Sequence, residues 1–164
     1  MKVIFLDIDG VLNSEEFFVE RTQNCRYDEY RKAGYSPVLS RQMCSLDSVA
    51  IAKLNYLVSQ TGAKIVVSSC WRADDPELQE LFAIVGIPHY IDITPYHDTR
   101  HRGTEVQQWL NKHPEVENYV IIDDDNDMLD KQLDHFVQTD AYKRGLSDED
   151  VEKAIKILNG NYRT

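Results

Sequence analysis

Lys2-Val3-Ile4-Phe5-Leu6-Asp7-Ile8-Asp9-Gly10-Val11-Leu12-Asn13 sets the reading of the whole chain. Val3 to Leu6 is a short, uninterrupted apolar run, the pattern of a strand buried on both faces. It closes on two aspartates one residue apart, and Gly10 and Asn13 behind them are turn formers. In an open α/β sheet, ligands bind beyond the carboxyl ends of the strands. Asp7 and Asp9 therefore stand where chemistry is done.

The same alternation continues outward. Lys64 to Val67, Tyr90 to Ile93, Tyr119 to Ile122 and, more weakly, His135 to Gln138 read as further strands. Between them lie helical periodicities. Leu46, Ala50, Ile51, Leu54, Leu57 and Val58 share one face, with Ser45 as the expected N-cap and Gly62 as the stop. Asp75-Pro76 opens a helix that buries Leu78, Leu81, Phe82 and Val85 and ends at Gly86. Thr104-Glu105-Val106-Gln107 has the form of a capping box, and Ser147 with Asp150 starts a last helix through Val151, Ala154, Ile155 and Leu158. Strands alternating with helices predict a three-layer α/β/α, Rossmann-like fold with a mostly parallel central sheet. The 164 residues make one domain, 1–164. Residues 14–44 are too long for an ordinary βα connection. With five acidic and five basic side chains among Phe17, Phe18, Tyr27, Tyr30 and Tyr35, they are expected to form a small cap or lid.

Composition narrows the function. Lys and Arg number 18 against 28 Asp and Glu, a net charge of -10, so no general nucleic-acid-binding stripe is expected. A few local arginines could still serve a nucleic-acid end. No apolar run is long enough to cross a membrane and the amino-terminal stretch is a strand pattern, so no membrane association and a cytoplasmic location are expected. Cys25, Cys44 and Cys70 are odd in number and lack a Cys-x-x-Cys, which argues against a disulfide framework or a zinc site and for a reducing compartment.

Two more strand ends carry chemistry. Asp123 and Asp124 close the run Tyr119-Val120-Ile121-Ile122 as Asp7 closes the first. Carboxylates converging from neighbouring strands repel one another unless a cation is present, and hard oxygen donors around an open site favour Mg²⁺. Ser68-Ser69-Cys70-Trp71-Arg72 follows the second strand, and its hydroxyls, backbone N–H groups and guanidinium suit a phosphate. Trp71 reads as a packing residue.

In order and type these residues resemble the haloacid dehalogenase-like (HAD) phosphatase superfamily, whose pattern is Asp-x-Asp-Gly, then Ser or Thr, then a basic residue, then an acidic pair. The stretches Ser68-Ser69-x-Trp71-Arg72, Arg102-Gly103-x-Glu105-x-x-x-Trp109-Leu110 and Gly145-Leu146-Ser147 are similar to the HAD domain of Swiss army knife RNA repair proteins. The resemblance implies a Mg²⁺-dependent phosphatase acting on a phosphorylated small molecule, a nucleotide or a nucleic-acid end. Asp7 would be the nucleophile and Asp9 the general acid/base. The metal would be held by the Asp7 carboxylate, the Asp9 carbonyl and Asp124, with Asp123 in support. Ser68 would hold phosphoryl oxygens, beside Ser69 and Arg72. The superfamily's basic residue is commonly a lysine; here Arg102 takes that place, with Arg100 second.

Other patterns fail on their own terms. Asp123-x-Asp125-x-Asp127 lacks the glycine and glutamate of a calcium loop. Cys70 and Arg72 are too close together for a thiol phosphatase loop, and His97, His101 and His113 share no metal spacing. The tyrosines of the insertion read as its own packing. A phosphotransferase using the same site and a catalytically silent binding module are the competing readings.

Overall fold

The computed structural model describes residues 1–21, 25–97 and 100–161. Five strands form one sheet: β1 (Lys2–Leu6), β2 (Lys64–Val67), β3 (Tyr90–Ile93), β4 (Asn118–Asp123) and β5 (Phe136–Gln138). Their order is β3-β2-β1-β4-β5, and every pairing is parallel. β1 lies at the centre, in register with β2 through Leu6 opposite Val67 and with β4 through Leu6 opposite Ile122.

Alternate residues of the strands serve two cores. Ile4, Leu6, Ile65, Val67, Val120 and Ile122 point to one side. There they meet α4 (Ser48–Thr61), α5 (Glu77–Val85) and α7 (Asp148–Leu158). Val3, Phe5, Val66 and Ile121 point to the other and meet Val106 and Trp109 of α6 (Arg102–Lys112). This is the expected three-layer arrangement, and the apolar strand runs are apolar because both faces are covered. Among the described residues, no helix is long and apolar enough to cross a membrane.

Three starting points differ from the sequence expectation. α4 is capped by Asp47, whose side chain accepts from the Val49 N–H, and not by Ser45, whose hydroxyl donates to the Arg41 carbonyl. α6 begins two residues before Thr104, with His101 as its cap. Pro76 is the N-cap of α5, whose first residue is Glu77.

The insertion is three short helices: α1 (Glu15–Arg21), α2 (Tyr27–Lys32) and α3 (Pro37–Cys44). α1 and α2 bury no residue, whereas α3 sends Leu39 into the main core and also buries Cys44. The expectation of free thiols fails for two of the three cysteines. Cys25 and Cys44 form a disulfide with Cα atoms 5.5 Å apart, because the end of α3 lies beside Cys25. An odd cysteine count left one thiol over; it did not preclude a pair, and it cannot carry the compartment reading.

Candidate active site

The order β2-β1-β4 places three chemistry-bearing strand ends side by side. Beyond the strands the backbone stays knitted: the Asp7 N–H donates to the Ile122 carbonyl at 3.0 Å and the Ser68 N–H to the Leu6 carbonyl at 2.8 Å. Asp7, Asp123 and Asp124 thereby converge, each offering a carboxylate oxygen within 4.8 Å of the others. Gly10 makes room for this. Its φ is +73°, and a Cβ there would lie 2.5 Å from Asp124 Cγ. The Thr139 hydroxyl braces the same turn by donating to the Gly10 carbonyl at 2.8 Å.

Burial sets the electrostatics. Asp7 and Asp123 are 7% and 2% exposed. Burial pushes the Asp7 carboxyl up to about 6, against the opposing pull of the Arg102 guanidinium and the Ser69 side chain. Asp123 is pushed up to about 8, by burial first and then by the Asp7 charge. Asp124 is also raised, mainly by burial. Three oxygen donors at this spacing, each disfavoured as a bare anion, fit a hard divalent cation.

Arg102 lies across the cluster. Its Nε donates to Asp123 Oδ2 at 3.2 Å, and a terminal nitrogen is 3.9 Å from Asp7 Oδ1. The start of α6 is fixed for this purpose. The Arg102 N–H donates to Asp127 Oδ2 at 2.8 Å, and a Cβ on Gly103 would lie 2.6 Å from the Leu129 nitrogen. Asp127 is thus a brace for Arg102, a role its false calcium-loop spacing does not suggest.

Asp9 is exposed, unlike Asp7 and Asp123, and is not one of the three acids whose oxygens converge. Its Oδ1 accepts from Asn13 Nδ2 at 3.0 Å and its Oδ2 from the Trp71 indole N–H at 2.8 Å. Ser68 is buried against Thr94, 3.4 Å between their hydroxyl oxygens, and the Ser69 side chain accepts from the Trp71 N–H as the cap of a 3-10 turn, Cys70–Asp74. Arg72 is 3% exposed. It donates to Glu105 Oε2 at 2.8 Å and to the Ser69 carbonyl at 2.9 Å. Glu105, also buried, takes Arg102 on the same oxygen at 3.3 Å, so one carboxylate aligns both guanidiniums. Cys70 lies 3.9 Å from Asp9 Oδ2, and burial together with that charge pushes its thiol up, away from a reactive thiolate.

Two clefts open here. One of about 710 Å³ is lined by Asp7, Arg102, Asp123, Asp124, Asp140 and Tyr142 among others. The other, about 300 Å³, is lined by Cys70, Arg72, Tyr96, Arg100, Arg102 and Glu105. Tyr96 is 61% exposed and rests on the Arg72 guanidinium, 3.9 Å from the ring centre. Arg100 is exposed at the mouth with a φ of +53°, a backbone conformation that a side-chain-bearing residue seldom adopts.

Trp71, Asn13 and Glu105 were not singled out from sequence for these contacts. Asn13 stands four residues after Asp9 in the same turn, and Glu105 three after Arg102 on one helix face. Those spacings were the available signals. Trp71 gave none, since an indole that packs and one that donates look alike in sequence.

No curated protein and no solved structure matches the chain. A family model does match, over residues 3–151, and with the acid cluster, the serine strand end and Arg102 all inside that span, the chain belongs to the family described as the HAD domain in Swiss Army Knife RNA repair proteins.

Proposed function

We propose that the protein is a Mg²⁺-dependent phosphomonoesterase working through an aspartyl-phosphate on Asp7. Membership in the HAD family supports a HAD-type hydrolase. The single observation that carries the finer reading is the setting of Asp7: a buried carboxylate within 4.8 Å of two other acids, with Arg102 alongside and Asp9 two residues on. Asp7, Asp123 and Asp124 would hold the metal. When bound, Mg²⁺ supplies positive charge against the phosphate dianion and relieves the repulsion among these acids.

The residues then divide the work. Asp7 Oδ attacks phosphorus as the ester P–O bond breaks, and Asp9 gives its proton to the leaving oxygen. Ser68, Ser69 and Arg102 hold the phosphoryl oxygens, with Arg102 aimed by Glu105 and Asp127. Water next attacks the phosphorus of the aspartyl-phosphate, Asp9 takes a proton from it, and the P–O bond to Asp7 breaks to release inorganic phosphate. In this reading Arg72 does not touch the phosphate, since its guanidinium is committed to Glu105 and the Ser69 carbonyl.

The substrate we infer is a nucleotide or a nucleic-acid end. Tyr96 and Arg100 support it, offering an open aromatic face and a cation in a cleft that shares Arg102 with the reaction site. The RNA repair setting named for the family is consistent with this. Small phosphate esters remain substrates for the same chemistry. The test is release of phosphate from a panel of nucleotides, 5′- and 3′-phosphorylated oligonucleotides and sugar phosphates, with Mg²⁺ and with EDTA. Hydrolysis should require the metal and favour the nucleotidyl esters. No metal-dependent hydrolysis of any ester would turn the reading to a silent binding module.

A further inference from the structure

The exposed Asp9 carboxylate is held from both sides, and both holds lead back to the insertion. Trp71 donates its indole N–H to Oδ2 and Asn13 its amide to Oδ1, at 2.8 and 3.0 Å. The Asn13 carboxamide is itself fixed: its Nδ2 also donates to the Ser45 carbonyl at 3.1 Å, and its Oδ1 accepts from the Gly10 N–H at 2.8 Å. Ser45 is the residue that ends α3. Trp71 lies in the 3-10 turn Cys70–Asp74, and Asp74 Oδ2 accepts from Gln42 Nε2 at 2.7 Å. Gln42 is a buried residue of α3.

We infer that Trp71 and Asn13 are positioning residues for the Asp9 acid/base, and that α3 of the insertion carries both arms. The assignment rests on the phosphatase reading of Asp9. A proton passes from Asp9 to the leaving oxygen only when the two oxygens come within about 2.6–3.2 Å in the right direction. An aspartate at the surface turns freely about its side-chain bonds unless something holds it. N–H donors on each oxygen fix the carboxylate plane and leave the outward lone pairs for the leaving group. The insertion is then more than a lid, because one of its helices aims the proton donor. Neither Gln42 nor Ser45 lines the reaction cleft or the Tyr96 cleft.

Trp71→Phe keeps an aromatic ring, a smaller one, and removes the indole N–H. The readout is the single-turnover rate of leaving-group release, measured with a simple alkyl phosphate, which needs protonation, and with 4-nitrophenyl phosphate, which does not. We expect a loss of about 10- to 100-fold on the alkyl ester, part of the 10²–10⁴ that acid catalysis supplies, and less than about 3-fold on the aryl ester. Gln42→Met, remote from substrate, should show the same leaving-group dependence at a smaller size, and decides the matter if Trp71→Phe does not fold. Equal losses on both esters, or no loss on either, would overturn the assignment while leaving the phosphatase intact. A wild-type protein inert toward both esters with Mg²⁺ would overturn the phosphatase reading, and this one with it.

Discussion

Without a bound metal the protein should become less stable as the pH rises, opposite to the behaviour of ordinary salt-bridged carboxylates. Asp7 and Asp123 hold their protons more tightly in the folded chain, with pKa values of about 6 and about 8 against an ordinary 3.8. For such a group the folded state binds more protons than the unfolded one, so its contribution to stability is full below about pH 4. It is lost as the pH rises through 6 for Asp7 and then 8 for Asp123. Lifting Asp7 from 3.8 to about 6 corresponds to on the order of 3 kcal/mol. The two contributions do not add, because the Asp7 charge is itself a cause of the Asp123 shift. At roughly 2–4 °C per kcal/mol for a chain of this size, the metal-free melting midpoint should fall by on the order of 10 °C between about pH 4 and pH 8. Mg²⁺ held by these acids, as proposed, would compete with the protons, so its stabilisation should be larger at pH 8 than at pH 5. Calorimetry in EDTA and in Mg²⁺ measures both. Asp123→Asn should flatten the metal-free profile and remove most of the Mg²⁺ effect. A metal-free midpoint that rises across this range, or an Asp123→Asn profile as steep as wild type, would refute the electrostatic account of the cluster.

Asp7→Asn should abolish turnover, whereas Asp9→Asn should lose about 10²- to 10⁴-fold on alkyl esters yet still release 4-nitrophenol in a first turnover; rapid-quench kinetics separate them. Gly10→Ala adds a left-handed strain of about 1–2 kcal/mol and drives a Cβ to 2.5 Å from Asp124 Cγ, so it should lower both the melting midpoint and Mg²⁺ affinity, read by calorimetry. Thiol titration of the unfolded chain should find one group, Cys70, without reductant and three after reduction. Leu39→Ala in α3 should cost about 2–5 kcal/mol in denaturant unfolding, while removing α1 and α2 should cost little, since only α3 reaches the core.

The sheet was legible because its strands are buried on both faces. Val3 to Leu6 and Val120 to Ile122 have no polar face to confuse the pattern, and each apolar run ends on acids. From that alone Asp7, Asp123 and Asp124 could be brought to one edge. Helix starts were less legible. Ser45 and Thr104 are good caps by type, yet the fold spends Ser45 on closing α3, and it lets His101 and Asp127 start α6 earlier. The sequence reading also could not show how the arginines are held: Arg72 and Arg102 lie 30 residues apart, yet both donate to one oxygen of Glu105. The Cys25–Cys44 pair, the Trp71 bond to Asp9 and the Gln42 bond to Asp74 are tertiary contacts, 19, 62 and 32 residues apart, with no periodicity to announce them.

The most direct test of the central claim is to trap the covalent intermediate. The protein is mixed with Mg²⁺ and a reactive phosphate ester, quenched in acid within one turnover, digested and mapped by mass spectrometry. Phosphate should be found on the peptide containing Asp7, labile to hydroxylamine as an acyl phosphate is, and absent from Asp7→Asn. Turnover of the ester with no acyl phosphate at any time, or phosphate on a different residue, would contradict the account.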